Sequence, residues 1–72
     1  MPNTAGLIIR ACVGDQHANV MDVYINNVPY EYRPRADAAS TARKVNRMSI
    51  ISHGKALQWV KKNCQYIGKA LR

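Results

Sequence analysis

Seventy-two residues form one domain at most, 47% of them are hydrophobic and the net charge is +7. A chain this short buries only about 60% of the surface its unfolded form exposes. That excludes a second domain and a large enclosed active site, while the hydrophobic content excludes a disordered chain and points to a folded unit stabilised by a partner or by self-association.

The charge is unevenly placed. Residues 1–32 hold one basic residue against three acidic ones, a net −2, and residues 33–72 hold ten against Asp37 alone, a net +9. A basic half of this kind favours partners of dense negative charge, such as nucleic acid or an acidic protein surface. Arg10 interrupts the N-terminal apolar run. No stretch approaches the roughly 20 apolar residues of a membrane span, and "MPNTAG" does not read as a secretory signal, so a cytoplasmic protein is expected.

Residues 1–4 carry no pattern and are expected to be loose, with a single domain over 5–72. "GLIIRACV", Gly6 to Val13, reads as a first strand, and "GDQHAN" as the loop after it. "MDVYINNVPYEY", Met21 to Tyr32, reads as a hairpin turning at Asn26–Asn27, because asparagine tolerates the positive φ that a type I′ turn requires. That register sets Ile25 against Val28, Val23 against Tyr30 and Met21 against Tyr32, with all six side chains on one face. Pro29 lacks a backbone donor and predicts that its strand lies at an edge or starts irregularly.

Asp37 predicts a cap for a helix beginning at Ala38, with Ala38, Ala42, Val45 and Ser49 inward and Ser40, Arg43 and Arg47 outward, flanked by Lys44. "MSII" is either the end of this helix or a short strand. Ser52 predicts the cap of a second helix, which continues to Gly68 or through it. On that helix Leu57, Val60, Cys64, Ile67 and Leu71 form an apolar stripe, opposite Lys55, Trp59, Lys62, Tyr66 and Lys69. The expected class is α+β: a small antiparallel sheet of three strands, with a fourth between the helices if "MSII" is extended, and both helices on one face.

No motif in the chain carries the full residue set of a known chemistry. "SHGKA" lacks the glycine and hydroxyl of a P-loop, although a helix start beside Lys55 could hold one phosphate. His17, His53, Cys12 and Cys64 match no zinc spacing, and no metal or cofactor is expected. Ser52 and His53 lack a third orienting group, and the carboxylates do not pair for acid–base work, so an enzyme is not expected. Cys12 and Cys64 read as reduced core thiols, with a bridge between them as the alternative.

The tail "KALQWVKKNCQYIGKALR" resembles the basic last helix of double-stranded-RNA-binding domains. Those domains begin with a helix that this sequence lacks, so no residue roles carry over. Short basic chains of this kind are also similar to many small phage and plasmid proteins. The function expected is non-catalytic nucleic-acid binding, DNA or RNA undecided, through Arg43, Lys44, Arg47, Lys55, Lys61, Lys62 and Lys69, with Trp59 or Tyr66 stacking on bases. The alternative is an inhibitor or adaptor that docks the same basic aromatic surface on an acidic protein face.

Overall fold

The computed structural model describes residues 6–13 and 19–70. Its elements run β1 (Ile9–Val13), β2 (Met21–Ile25), β3 (Val28–Pro34), α1 (Ala38–Ile51), α2 (His53–Asn63) and β4 (Cys64–Lys69). The four strands form one antiparallel sheet in the order β1-β2-β3-β4. Both helices pack on one face, giving the expected α+β architecture. The expected loose N-terminus, the loop through Gly14 and His17, and Leu71 lie outside the described residues.

The hairpin follows from its turn. Asn26 and Asn27 have φ of 50° and 70°. The pairs Ile25–Val28, Val23–Tyr30 and Met21–Tyr32 face each other as the alternation requires. Asn26 has a second task that glycine could not perform: its Oδ1 accepts from the Ile8 N–H at 2.7 Å, while its own N–H donates to the Ile8 carbonyl. The turn thereby anchors the entry to β1.

Ile9, Ala11, Met21, Val23 and Tyr32 of the sheet meet Ala38, Ala42 and Val45 of α1 and Ala56 and Val60 of α2 in the core. Alanines at the contact points let the helices sit close to the sheet. Val45 and Val60 are fully buried, and each contributes about 1.5–3 kcal/mol. Ser52 ends one helix and begins the next: its N–H donates to the Met48 carbonyl, and its Oγ accepts from the Lys55 N–H at 3.2 Å. "MSII" is therefore the last turn of α1.

Three expectations change. Pro29 sits next to the start of a strand that lies between β2 and β4, so β3 is not an edge; its carbonyl accepts from Ala70 N–H where the β3–β4 ladder runs out. The second helix stops at Asn63, whose Nδ2 donates to the Trp59 carbonyl. Cys64, Tyr66, Ile67 and Lys69 consequently belong to a strand instead of a helix, and the fourth strand follows the helices instead of separating them. Pairing with β3 supplies backbone bonds in place of those a further helical turn would make, and "CQYI" suits a strand. The likeness of the tail to one continuous basic helix ends at the same residue.

Candidate functional site

The described residues form three open clefts around the helices and the end of the sheet, and the stripe expected from the sequence is divided among them. The first lies along α1. Ser40, Lys44, Arg47, Met48 and Ile51 line about 490 Å³. Arg43 is exposed beside them and donates to Ser40 Oγ at 3.3 Å. Lys44 Nζ sits 4.9 Å from the centre of the Trp59 ring, joining α1 to α2. Trp59 is half-buried and packs against the core. The only tryptophan thus serves as an interhelical anchor whose remaining face is covered by a cation. Lys55 is exposed at the start of α2.

The second cleft lies on the other flank of α2. Lys61 reaches it because two residues after Trp59 is about 200° around a helix. Ile25, Tyr30, Tyr32, Lys61, Cys64 and Tyr66 enclose a groove of about 530 Å³. Its aromatic wall is a product of register: Tyr30 and Tyr32 alternate onto the helix side of β3, and β4 sets Tyr66 opposite Tyr32. The Tyr66 ring lies 5.3 Å from that of Tyr32 and 6.3 Å from that of Tyr30, tilted to both. An irregularity between Glu31 and Tyr32 shifts the ladder, so that Lys69 faces Tyr30. Gly68, at φ 152°, occupies that bend. Burial, reinforced by Tyr66, Cys64 and Tyr30, raises the pKa of Tyr32. Burial also raises that of the Cys64 thiol, against an opposing pull from Arg35. Both groups therefore stay neutral at physiological pH.

The third cleft adjoins the second. Arg33, Pro34, Arg35, Lys62, Asn63, Cys64 and Gln65 line about 310 Å³. Cys64 borders both spaces, so an aromatic groove opens beside a cationic one. Arg33 and Arg35 are not among the residues expected from the sequence. Their signal lies in "RPR", two guanidinium groups flanking a proline that holds the chain extended, but it gains meaning only once α2 ends beside it and brings up Lys62.

Among the described residues, no acidic one lines any of these three clefts. Asp22 and Glu31 are paired neighbours whose alternation places them on the other face of the sheet, which Arg33, two residues after Glu31, shares and where Arg10 lies 4.0 Å above the Tyr24 ring. Asp37 is engaged in capping α1: its carboxylate accepts from Ser40 N–H at 2.9 Å, which holds its pKa below the usual carboxylate value. Of the nine expected binding residues, the structure gathers Arg43, Lys44, Arg47 and Trp59 around α1, leaves Lys55 at the helix corner, and groups Lys61, Lys62, Tyr66 and Lys69 at the β4 end. Trp59 and Tyr66 are not parts of one stripe. They stand on opposite flanks of α2.

The two cysteines do not form a disulfide; they lie on β1 and β4, the two outermost strands. Among the described residues no helix is long and apolar enough to cross a membrane. Comparison with protein families, with curated proteins and with solved structures finds no match for this chain.

Proposed function

We propose that this chain is a small, non-catalytic nucleic-acid-binding protein of the cytoplasm that grips its ligand through the clefts around its helices. One observation supports this above the others: among the described residues, the two adjoining clefts at the end of α2 and the separate cleft along α1 have basic or aromatic linings and no acidic one, while Asp37 is engaged in a cap. Cations gathered in this way displace the counterions condensed on a phosphate backbone, and the release of those ions drives binding. The test is fluorescence anisotropy of labelled single- and double-stranded DNA and RNA in about 50 and about 200 mM salt. Binding that weakens by orders of magnitude between the two conditions is expected. Affinity indifferent to salt, or none at the lower salt, overturns the reading.

A second reading has its own observation. Ile50 and Ile51 are 84% and 86% exposed at the end of α1, beside the cleft of Lys44, Arg47 and Met48. Two adjacent exposed isoleucines next to cations suit an acidic protein face with an apolar centre. A stoichiometric protein complex that survives nuclease treatment and is lost in Ile50→Ser with Ile51→Ser would favour this reading.

A further inference from the structure

The clefts differ in what they can hold. Around α1 the aromatic surface is already used, since Trp59 packs on the core and Lys44 lies over its ring. Tyr24, on the far face, lies beneath Arg10. Tyr66 is different: at 54% exposure it is the most exposed aromatic side chain among the described residues, and it lines an open groove with Tyr30 and Tyr32. That groove, at about 530 Å³, is within the range of small-ligand sites. Across Cys64 lies the cleft of Arg33, Arg35 and Lys62, with the amides of Asn63 and Gln65 at its rim. Guanidinium groups are suited to phosphate because their planar fork matches two oxygens at once. An aromatic slot and a cationic slot sharing one wall repeat the two chemical halves of a nucleotide.

We infer that the ligand is a single strand, and that one nucleotide bridges these two clefts with its base against Tyr66 and Tyr30 and its phosphate among Arg33, Arg35 and Lys62. This deepens the nucleic-acid reading above and rests on it. A base inside a duplex has both faces stacked on its neighbours and offers none to a tyrosine, whereas an unpaired base does. Neutral Tyr32 and Cys64 place no charge against the incoming phosphate. Lys61 and Lys69, flanking the tyrosines, carry the backbone onward. Stacking tolerates any base, so the site discriminates single strands from duplexes more than one sequence from another.

The experiment uses the full chain with a deoxythymidine oligonucleotide of about ten nucleotides, and with its duplex. Tyr66→Ala is expected to weaken single-strand binding at least about fivefold, the lower end of what one stacked base contributes. Duplex binding should stay within about twofold, and Tyr66→Phe should bind as the unaltered chain. Arg35→Gln with Lys62→Gln is expected to lower affinity and flatten the salt slope by about 0.7, the share of the one phosphate they hold. In the unaltered protein, free of any question of folding, amide resonances of Tyr30, Lys61 and Tyr66 should shift on binding while the Trp59 indole stays in place. Salt-dependent binding that is unchanged in both variants, or a perturbation centred on Trp59, moves the ligand to α1 and overturns this inference while leaving the nucleic-acid reading intact. Tighter binding to the duplex than to the single strand overturns it as well. Absence of binding to any nucleic acid at the lower salt is instead the failure of the reading beneath it.

Discussion

The Asn46 side chain of α1 hydrogen-bonds Ala11 of β1 twice: its Oδ1 accepts from the Ala11 N–H and its Nδ2 donates to the Ala11 carbonyl, each at 2.8 Å. One carboxamide thus takes the place of a neighbouring strand at the outer side of β1. Two residues away His53 Nδ1 accepts from the Ile9 N–H at 3.0 Å, so each helix lends a polar side chain to the same edge. An open edge is a template for pairing with another chain, and these contacts occupy it.

Removing the amide should therefore have two consequences. Asn46→Ala is expected to lower unfolding free energy by about 1–3 kcal/mol, since two bonds are lost and two backbone groups of Ala11 are left to water. The uncovered edge is also expected to associate. Urea denaturation measures the first effect and light scattering across a concentration series measures the second. A variant as stable and as monodisperse as the unaltered chain would show that the edge needs no cover.

Trp59 and Lys44 should separate in their contributions to stability. Trp59→Ala removes a side chain packed on the core and is expected to cost about 2–3 kcal/mol, below the range for a fully buried aromatic because it is only half-buried. Lys44→Ala removes only the cation over the ring and is expected to cost about 1 kcal/mol or less. It should also alter tryptophan emission while the fold is unchanged. Chemical denaturation of both variants followed by far-ultraviolet circular dichroism makes the comparison without depending on the tryptophan signal.

Asp37 gives the acid limb of stability a defined sign. The Ser40 N–H at its carboxylate lowers its pKa in the folded chain relative to the unfolded one. Its contribution is therefore present in full above the ordinary carboxylate range and is lost as pH falls through the depressed folded value. Thermal midpoints of the unaltered chain should fall across that window. Asp37→Asn retains a capping acceptor but does not titrate, so its midpoint should fall less over the same interval. Parallel profiles for the two proteins would assign the acid limb to other groups.

The hairpin, α1 and the corner at Ser52 are legible in the sequence because each is decided locally. Asn26 and Asn27 fix the turn, alternation fixes its register, Asp37 caps α1 and Ser52 caps α2, and Ala38, Ala42, Val45 and Ser49 form the buried side of α1 as their spacing requires. The end of α2 is not decided locally. Leu57, Val60, Cys64 and Ile67 recur at intervals that suit a helix, and the competing strand is stabilised only by β3, distant in sequence. That one boundary carries Tyr66 and Lys69 from the face of a helix to the edge of a sheet. It also brings Arg33 and Arg35 beside Lys62, so much of the candidate site lies where local periodicity carries no information.

Cys64 offers a direct report on the groove, since it borders both the aromatic and the cationic cleft. In a Cys12→Ser background it is the remaining thiol of the chain. Burial raises its pKa, which leaves less of the nucleophilic thiolate at a given pH than an unhindered cysteine has. Alkylation by iodoacetamide near neutral pH should therefore be slower than in the unfolded chain, and should accelerate as pH rises toward the elevated value. The same shift has a stability counterpart of opposite sense to that of Asp37: the contribution is complete below the unfolded thiol value and disappears as pH climbs through the folded one. A single strand whose nucleotide bridges the two clefts must cover this sulfur. Saturating oligonucleotide is thus expected to slow alkylation further, whereas the same oligonucleotide bound along α1 would leave the rate unchanged. Mass spectrometry of the modified fraction against time, at matched salt with and without the strand, distinguishes the two placements without altering any residue that touches the ligand through a charge or a ring.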